Sequence, residues 1–272
     1  NNWFMMYFLS VVLIGTIYPI FLDVLSSQKI SVGPPFYHKL IIPFLIPFLL
    51  IMAIGPKLKW IKSNLDDKIY LISLLIISIL LSILIVKNFS SNFLINTILI
   101  SSALYLFFIT LRDFFNKGFK NLAQNMAHFG FSLLILSILF NSLFSSEIIT
   151  NLKVGETFEN TKTKIVFESI SQKEEKNYNS IVAKFTVQDS KGKLENLSPE
   201  LRIYNQPNIA TSEADIKTTL LSDKFIVINI VQNQEFFNVR YQVKPFMLWI
   251  WISVILISVG GLVSFVKKEY EK

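Results

Sequence analysis

The stretch LAQNMAHFGFSLLILSILFNSLF, residues 122–144, is apolar along most of its length and carries one histidine, His128. A helix needs about 20 predominantly apolar residues to cross a bilayer, and this stretch has them. Directly after it, residues 145–244 are polar and carry both signs of charge. The junction decides the fold class, because it joins a membrane helix to a domain of different composition.

Composition places the whole chain among integral membrane proteins. Of its 272 residues 52% are hydrophobic, and the mean hydropathy is +0.49, too apolar for an ordinary soluble domain. The formal net charge is +7, but in membrane proteins surplus Lys and Arg lie on the cytoplasmic side, so no nucleic-acid binding is predicted. The chain contains no cysteine, which excludes thiolate metal sites, CxxC pairs and disulfides.

Apolar runs predict six membrane spans, at about 3–22, 38–55, 69–87, 93–111, 122–144 and 245–266. The opening NNWFMMYFLS is not typical of a secretory signal peptide. Basic residues gather after the second, fourth and sixth spans: Lys57, Lys59, Lys62, Lys68, Arg112, Lys117, Lys120, Lys267, Lys268 and Lys272. Alternating spans put all of them on one side, which the positive-inside rule makes cytoplasmic. Segments 23–37, 88–92 and 145–244 then lie outside.

Residues 145–244 show the alternation of β-strands. KIVFESI, SIVAKFTVQD, KFIVINIVQ and NVRYQV are rich in Val, Ile and Phe and are separated by Asn, Ser, Gly and Pro. We expect a mainly α membrane protein with six transmembrane helices and a small extracytoplasmic β-domain, a barrel or a sandwich, between helices 5 and 6. The expected division is a membrane domain at 1–144, the β-domain at 145–244, and a final helix with a basic tail at 245–272.

His128 is the first candidate for chemistry. Helical spacing puts four polar residues on its face of the fifth span: Asn121, Gln124, Asn125 and Ser132. A polar stripe in a span is expected to face the bundle interior. Three roles stay open at this point, namely a hydrogen bond to another helix, a cofactor or metal ligand, and a proton relay. Small residues nearby let a helix or a flat cofactor come close: Ala123, Ala127 and Gly130.

The segment before the second span is the first of two further candidate sites on the outer side, and the β-domain contains the second. Gly33, Pro34 and Pro35 are expected to adopt an extended or turn conformation before the second span, while Phe36 and Tyr37 fit an interfacial aromatic belt. The other histidine, His38, receives no role and is poorly placed to share an iron with His128.

The β-domain has one dense polar cluster: Glu200, Arg202, Tyr204, Glu213 and Asp215. These residues fit solvated strand ends and turns. Alternatively, the Arg202 guanidinium suits the carboxylate of a haem propionate. The chain shows no Ser/His/Asp arrangement, P-loop or zinc motif.

Several segments resemble one family in fixed order. GTIYPIFLD, KISVGPPFYHKLIIPFLIPFLLIMAIGP, MAHFG, SPELRIYNQPNIATSEADI and VRYQVKPFMLWIWISVILISVGGL are similar to the C-terminal portion of CcmF, the haem lyase subunit of cytochrome c maturation. The similarity runs from about Gly15 to Leu262.

The resemblance implies that haem is received from a periplasmic haem chaperone and joined to apocytochrome c presented by a lyase partner. It also implies a transmembrane haem b that takes electrons from quinol and keeps the substrate haem reduced. The histidine of MAHFG matches an axial iron ligand of that haem b, so this role passes to His128. Gly33, Pro34, Pro35 and Arg202 become a candidate surface for haem or a partner. The membrane is expected to be a bacterial or mitochondrial inner membrane.

One departure from the family matters. The tryptophan-rich segment that handles substrate haem, with the second ligand of haem b, is absent from this sequence. We therefore expect an N-terminal CcmF portion or subunit to complete the site, and the chain not to be catalytic alone. The alternative function is a non-catalytic assembly or transporter-like subunit in which His128 only packs helices.

Overall fold

A computed structural model describes residues 2–26, 30–58, 68–88, 92–116, 121–189, 192–231 and 235–270. Five lysines of the basic connections lie outside these residues: Lys59, Lys62, Lys117, Lys120 and Lys272. The chain forms two compact units, one made of Asn1–Leu139 with Ile252–Lys272 and the other of Phe140–Trp251.

Within the described residues, six helices are long and apolar enough to cross a bilayer. They are α1 (Asn2–Ser26), α2 (Pro34–Ile54), α3 (Lys68–Val86), α4 (Phe93–Asn116), α5 (Leu122–Phe144) and α6 (Met247–Tyr270). The six-helix membrane fold predicted from the sequence is confirmed.

The start of α2 corrects one expectation. Gly33 is extended, but Pro34 and Pro35 occupy the first turn of the helix rather than a loop. Proline suits this place, because the first helical N–H groups have no partner within the helix and the fixed φ of proline is already helical. The second span therefore begins four residues earlier than its hydropathy indicated.

In the first unit, α4 is the most buried helix. Its window of highest hydropathy is 56% buried, against at most 22% for the other five. Small and hydroxyl-bearing residues line it, and Ser102 and Thr110 donate hydrogen bonds to carbonyls three or four residues earlier. Such hydroxyls are satisfied within their own helix, so they let neighbouring helices approach without leaving an unpaired donor. Phe107 and Phe114 contact Phe129 of α5 at ring separations of 5.7 and 5.2 Å.

The described residues of the second unit form ten strands: β1 (Ser146–Leu152), β2 (Thr157–Glu159), β3 (Thr163–Glu174), β4 (Tyr178–Asp189), β5 (Leu194–Leu197), β6 (Glu200–Tyr204), β7 (Ile209–Glu213), β8 (Asp215–Thr218), β9 (Ser222–Ile230) and β10 (Phe237–Pro245). One sheet has the order β1-β10-β9-β8, and the other β2-β3-β4-β6-β7 with β5 also pairing with β4. All the pairings are antiparallel. This confirms the small β-domain between helices 5 and 6.

The core of this domain is formed by the inward residues of both sheets. Phe167 and Phe185 stack with centroids 4.4 Å apart, and both are fully buried with Ile226 and Ile228 of β9. Their alternation with exposed neighbours is the period-2 pattern read from the sequence. The polar cluster lies at strand ends, as expected for four of its members, since Glu200 and Tyr204 bound β6, Glu213 ends β7 and Asp215 begins β8.

The junction between β10 and α6 is tightly bonded. Asn141 in the last turns of α5 donates from Nδ2 to the Pro245 carbonyl at 2.6 Å. Phe246 then adopts a positive φ of 60°, and its ring lies 5.3 Å from that of Phe140. The Phe246 carbonyl accepts from Ile250 N at 3.1 Å, which starts α6.

Candidate functional site

His128 lies in the second turn of α5 and is half-buried. It lines a cavity of about 20 Å³ formed between α2, α4 and α5. The other lining residues are Met52, Ala53, Pro56, Ile109, Thr110, Asp113, Gln124 and Asn125. A volume of this size holds roughly one water molecule. The cavity is too small for a porphyrin, so a haem ligated by His128 would have to lie outside it.

The polar walls of this cavity are mostly paired. Asp113 Oδ1 lies 3.4 Å from Lys57 Nζ, and the hydroxyls of Thr110 and Ser132 lie 2.7 Å apart. Asn125 is 7% exposed, and its Nδ2 has no hydrogen-bond partner among the described residues. A buried amide donor without a partner is costly, so Asn125 gives the pocket a donor suited to a water or a polar group.

The polar stripe of the fifth span is only partly internal. Asn125 and Ser132 are buried and His128 is half-buried, as the helical spacing predicts. Gln124 is exposed although it lines the cavity. Asn121 is also exposed because it precedes α5, which begins at Leu122. The interior face therefore starts one turn later than expected.

The small residues of α5 accommodate a helix. A Cβ on Gly260 of α6 would lie 2.9 Å from Ala123 O and 2.9 Å from Ala127 N. A Cβ on Gly130 would lie 2.9 Å from Ile257 Cγ1 of the same helix. The close approach predicted from these small residues is therefore made by α6. Small residues at a helix–helix contact are typical of membrane proteins. Sequence reasoning missed Gly260, although the small residues of SVGGL were a visible signal.

The residues around His128 fit one axial ligand rather than a complete haem site. The only other histidine of the chain, His38, lies in the first turns of α2, whereas Met52 of the same helix lines the His128 cavity. Fourteen residues of helix separate these positions by roughly 21 Å. Among the described residues, no group of three or more His, Asp or Glu could hold a metal ion. This part of the chain thus contains one of the two imidazoles that a bis-histidine haem needs.

Gly33, Pro34 and Pro35 lie at the N-terminus of α2, where Phe36 N donates to Gly33 O at 3.2 Å. Tyr37 is turned towards α1: a Cβ on Gly15 would lie 2.7 Å from the Tyr37 hydroxyl. This tyrosine therefore packs against a neighbouring helix instead of serving only as an interfacial ring. Gly33, Pro34 and Pro35 belong to the first compact unit, whereas Arg202 belongs to the second.

Arg202 in β6 is already engaged by its own domain. Its Nε donates to Glu200 Oε2 at 2.9 Å, and its guanidinium lies 5.0 Å from the centroid of the Tyr178 ring. The bond to Glu200 raises the pKa of Arg202 further above its ordinary value. The side chain is 31% exposed, so an external carboxylate that bound the guanidinium would share it with Glu200.

A buried ion-pair cluster in the β-domain had no sequence prediction. Glu195 is 2% exposed, and its two oxygens lie 3.0 Å from Lys193 Nζ and 3.0 Å from Lys224 Nζ. Neither oxygen receives a well-aligned hydrogen bond from the described residues, so charge pairing compensates its burial. Burial raises the pKa of Glu195, but the two lysines outweigh it and the pKa is lowered. Burial, with the neighbouring Glu195, raises the pKa of the Tyr241 hydroxyl.

Comparison with known proteins agrees with this architecture. Residues 143–245 match the family model described as the CcmF C-terminal beta-sandwich. This segment is therefore similar to the C-terminal β-sandwich of CcmF proteins. The resemblance to the CcmF family that the ordered motifs indicated is thereby confirmed.

CcmF relatives are similar to the chain over nearly its whole length. The cytochrome c-type biogenesis protein CcmF of Pseudomonas fluorescens is 27% identical over 99% of this chain, and that of Escherichia coli K12 is 26% identical over all of it. Each match covers 43% of the relative, so the chain spans less than half the length of these proteins.

A solved structure titled Cytochrome c Heme Lyase CcmF has the same fold. It superposes on 96% of this chain and 44% of its own, with a TM-score of 0.71 and 20% sequence identity. The six helices and the β-sandwich between the fifth and sixth are thus a shared arrangement.

Proposed function

We propose that this chain forms the C-terminal part of a CcmF-type cytochrome c haem lyase. The observation that carries the proposal is the match to cytochrome c biogenesis proteins over 99% of the chain. Because those relatives are more than twice as long, haem attachment belongs to the whole assembly and not to this chain alone. An N-terminal CcmF portion or subunit, a periplasmic haem chaperone, a lyase partner and apocytochrome c complete that assembly.

In this proposal His128 is an axial ligand of a transmembrane haem b. Its support is a half-buried imidazole inside a span, in the lining of a cavity with polar walls. A bound haem b would carry electrons from quinol and keep the iron of the substrate haem reduced. The second axial ligand comes from outside this chain, since His38 lies at the opposite end of α2.

The cavity residues orient the imidazole. A ligand histidine usually donates its other ring N–H to a carboxylate, a carbonyl or a water. Asp113, Thr110 and Asn125 line the cavity that His128 also lines, and the cavity has room for roughly one water. Lys57 lies 3.4 Å from Asp113 and fixes the position of its carboxylate. In this proposal these groups hold the ring in the orientation that ligation of the iron requires.

The β-domain and the start of α2 are each a candidate surface for haem or a partner. Arg202, with Tyr178 beneath its guanidinium, presents a cation beside an aromatic ring and suits a haem propionate. Gly33, Pro34 and Pro35 give the start of α2 a fixed conformation that a haem or partner protein could contact. Both positions belong to the outer side if the basic ends of the helices are cytoplasmic.

Sidedness rests on charge. Lys57 at the end of α2 pairs with Asp113 at the end of α4, and Arg112 of α4 lies 4.0 Å above the ring of Tyr70 at the start of α3. The basic ends of these helices therefore meet at one end of the first unit. The positive-inside rule makes that end cytoplasmic, which places the β-domain in the periplasm or the intermembrane space.

The test is His128→Ala in the complete membrane complex, with His38→Ala as the matched control. We expect His128→Ala to remove the haem b absorbance of the purified complex and to stop cytochrome c assembly. His38→Ala removes the other imidazole of the chain and should retain both. Spectra of dithionite-reduced complex measure the first outcome, and haem staining of membrane proteins measures the second.

Retention of haem b absorbance in the His128→Ala complex would remove the ligand assignment. If cytochrome c assembly also continued, His128 would be a helix-packing residue of an assembly or transporter-like subunit. Loss of the folded complex is distinguished from loss of the ligand by His128→Gln, which keeps a hydrogen-bonding side chain without an imidazole.

A further inference from the structure

The turn between β8 and β9 exposes two leucines side by side. Leu220 is 72% exposed and Leu221 is 67% exposed. Exposed single apolar residues are common on any protein, but an adjacent pair at the tip of a hairpin presents a continuous apolar surface.

This turn is held in one conformation. Thr219 N donates to Ser222 O at 3.0 Å, and the Thr219 hydroxyl donates to the same carbonyl at 2.7 Å. Ser222 N in turn donates to Thr219 Oγ1 at 3.1 Å. These three hydrogen bonds fix the backbone of the turn, so both leucine side chains stay on its surface.

The turn lies level with the start of a membrane span. Trp249 Nε1 donates to the Leu220 carbonyl at 2.9 Å, and Phe246 N donates to the Leu221 carbonyl at 2.8 Å. Trp249 belongs to the first turn of α6, whose apolar span begins at Met247. The carbonyls of both leucines are therefore bonded to residues at or just before the start of α6, where the chain enters the bilayer.

We propose that the Leu220–Leu221 turn inserts into the lipid interface of the membrane that α6 crosses. Its partner is the boundary between headgroups and acyl chains, where a tryptophan such as Trp249 is also typically found. Lys217 and Lys244 flank the turn in β8 and β10, where their ammonium groups suit lipid phosphates. The turn is thus a third attachment of the β-sandwich to the membrane, in addition to the two covalent ones through α5 and α6.

This chain has no cysteine, so an introduced cysteine is its single thiol once any cysteine elsewhere in the complete protein is replaced by serine. Leu220→Cys and, separately, Leu221→Cys are labelled with a nitroxide in the protein that carries this chain, in nanodiscs of phosphatidylcholine and phosphatidylglycerol. Collision with oxygen, which concentrates in the bilayer, is compared with collision with a water-soluble nickel chelate. Ile230→Cys is the control, because it is an exposed apolar residue at the opposite end of β9.

We expect oxygen to relax the nitroxides at 220 and 221 more than the nickel chelate does, and the order to reverse at 230. Stronger relaxation by nickel at both turn positions would overturn the proposal, because the leucines would then face water. Shielding from both agents would overturn it as well and would indicate a protein partner. Two independently labelled positions keep the result readable if one substitution disturbs the turn.

Discussion

Glu195 shows how a single buried charge is stabilised in the β-domain. Its lowered pKa means that the folded protein holds this carboxylate ionised at a pH where the unfolded chain binds a proton. The resulting stabilisation is complete above the ordinary value of 4.5. It is lost as the pH falls through the lowered value in the folded state.

We expect Glu195→Gln to destabilise the protein by about 2 kcal/mol at pH 7. Removing one member of a buried pair costs about 3–5 kcal/mol, but Lys224 retains Asp189 at 3.7 Å. Thermal unfolding in detergent, followed by circular dichroism from pH 7 to pH 4, should show a constant difference between the two proteins that begins to narrow only below pH 4.5. Lys193→Met is the control: this lysine is 59% exposed, and we expect a loss of under about 1 kcal/mol. Equal losses in both variants would contradict the assignment of the stabilisation to Lys224.

His128 and Asn125 mark the limit of prediction for single residues. Helical spacing placed both on one face of the fifth span, and the structure keeps them on the same cavity. Helical spacing could not identify Asp113 and Lys57 as neighbours, because they come from helices distant in sequence. Glu195 could not be recognised either, since a charged residue in a strand is ordinarily solvated and only the folded sheets show which face is covered.

At the scale of elements, α5 and α6 pack through glycine. We expect Gly260→Ala to lower stability by roughly 1–3 kcal/mol, because its methyl group would overlap backbone atoms of Ala123 and Ala127. Gly261→Ala is a matched control, since a Cβ there meets nothing within 4 Å. That variant should be neutral or more stable by up to about 1 kcal/mol through helix propensity. Thermal midpoints in detergent compare the two, and equal midpoints would remove the close contact as the cause.

The β10–α6 junction contains an unusual backbone conformation. Phe246 has φ of 60°, where side chains other than glycine are disfavoured by about 1–2 kcal/mol. Both Phe246→Ala and Phe246→Gly lose the ring contact with Phe140. We expect the alanine variant to be less stable than the glycine variant by about 1 kcal/mol, because only glycine relieves the backbone. Chemical denaturation in micelles measures the order, and the reverse order would contradict the strain.

At the scale of the whole molecule, the sequence predicted the number of helices, their order and the strand-rich insertion. These follow from local patterns, since a span needs a length of apolar residues and a strand needs alternation. The start of α2 was misplaced because hydropathy does not register prolines that open a helix. The pairing of β1 with β10 and the division into two sheets depend on contacts between distant residues.

Sidedness is the prediction that belongs to this scale. Ile230→Cys in the β-domain should react with a membrane-impermeant maleimide in intact cells. Leu58→Cys, exposed just after α2 at the basic end, should react only after the membrane is permeabilised. Labelling of both cysteines from the same side would contradict the topology derived from the basic connections.

The pairing of β1 with β10 gives the β-sandwich neighbouring points of entry and exit. Ser146 lies opposite Val243, and adjacent strands are about 4.8 Å apart. Because the connection between α5 and α6 spans only this short distance, a β-hairpin can join the two helices in place of the β-sandwich. The β-sandwich can therefore be exchanged for another domain, in evolution or by design, while the packing of the helices is kept.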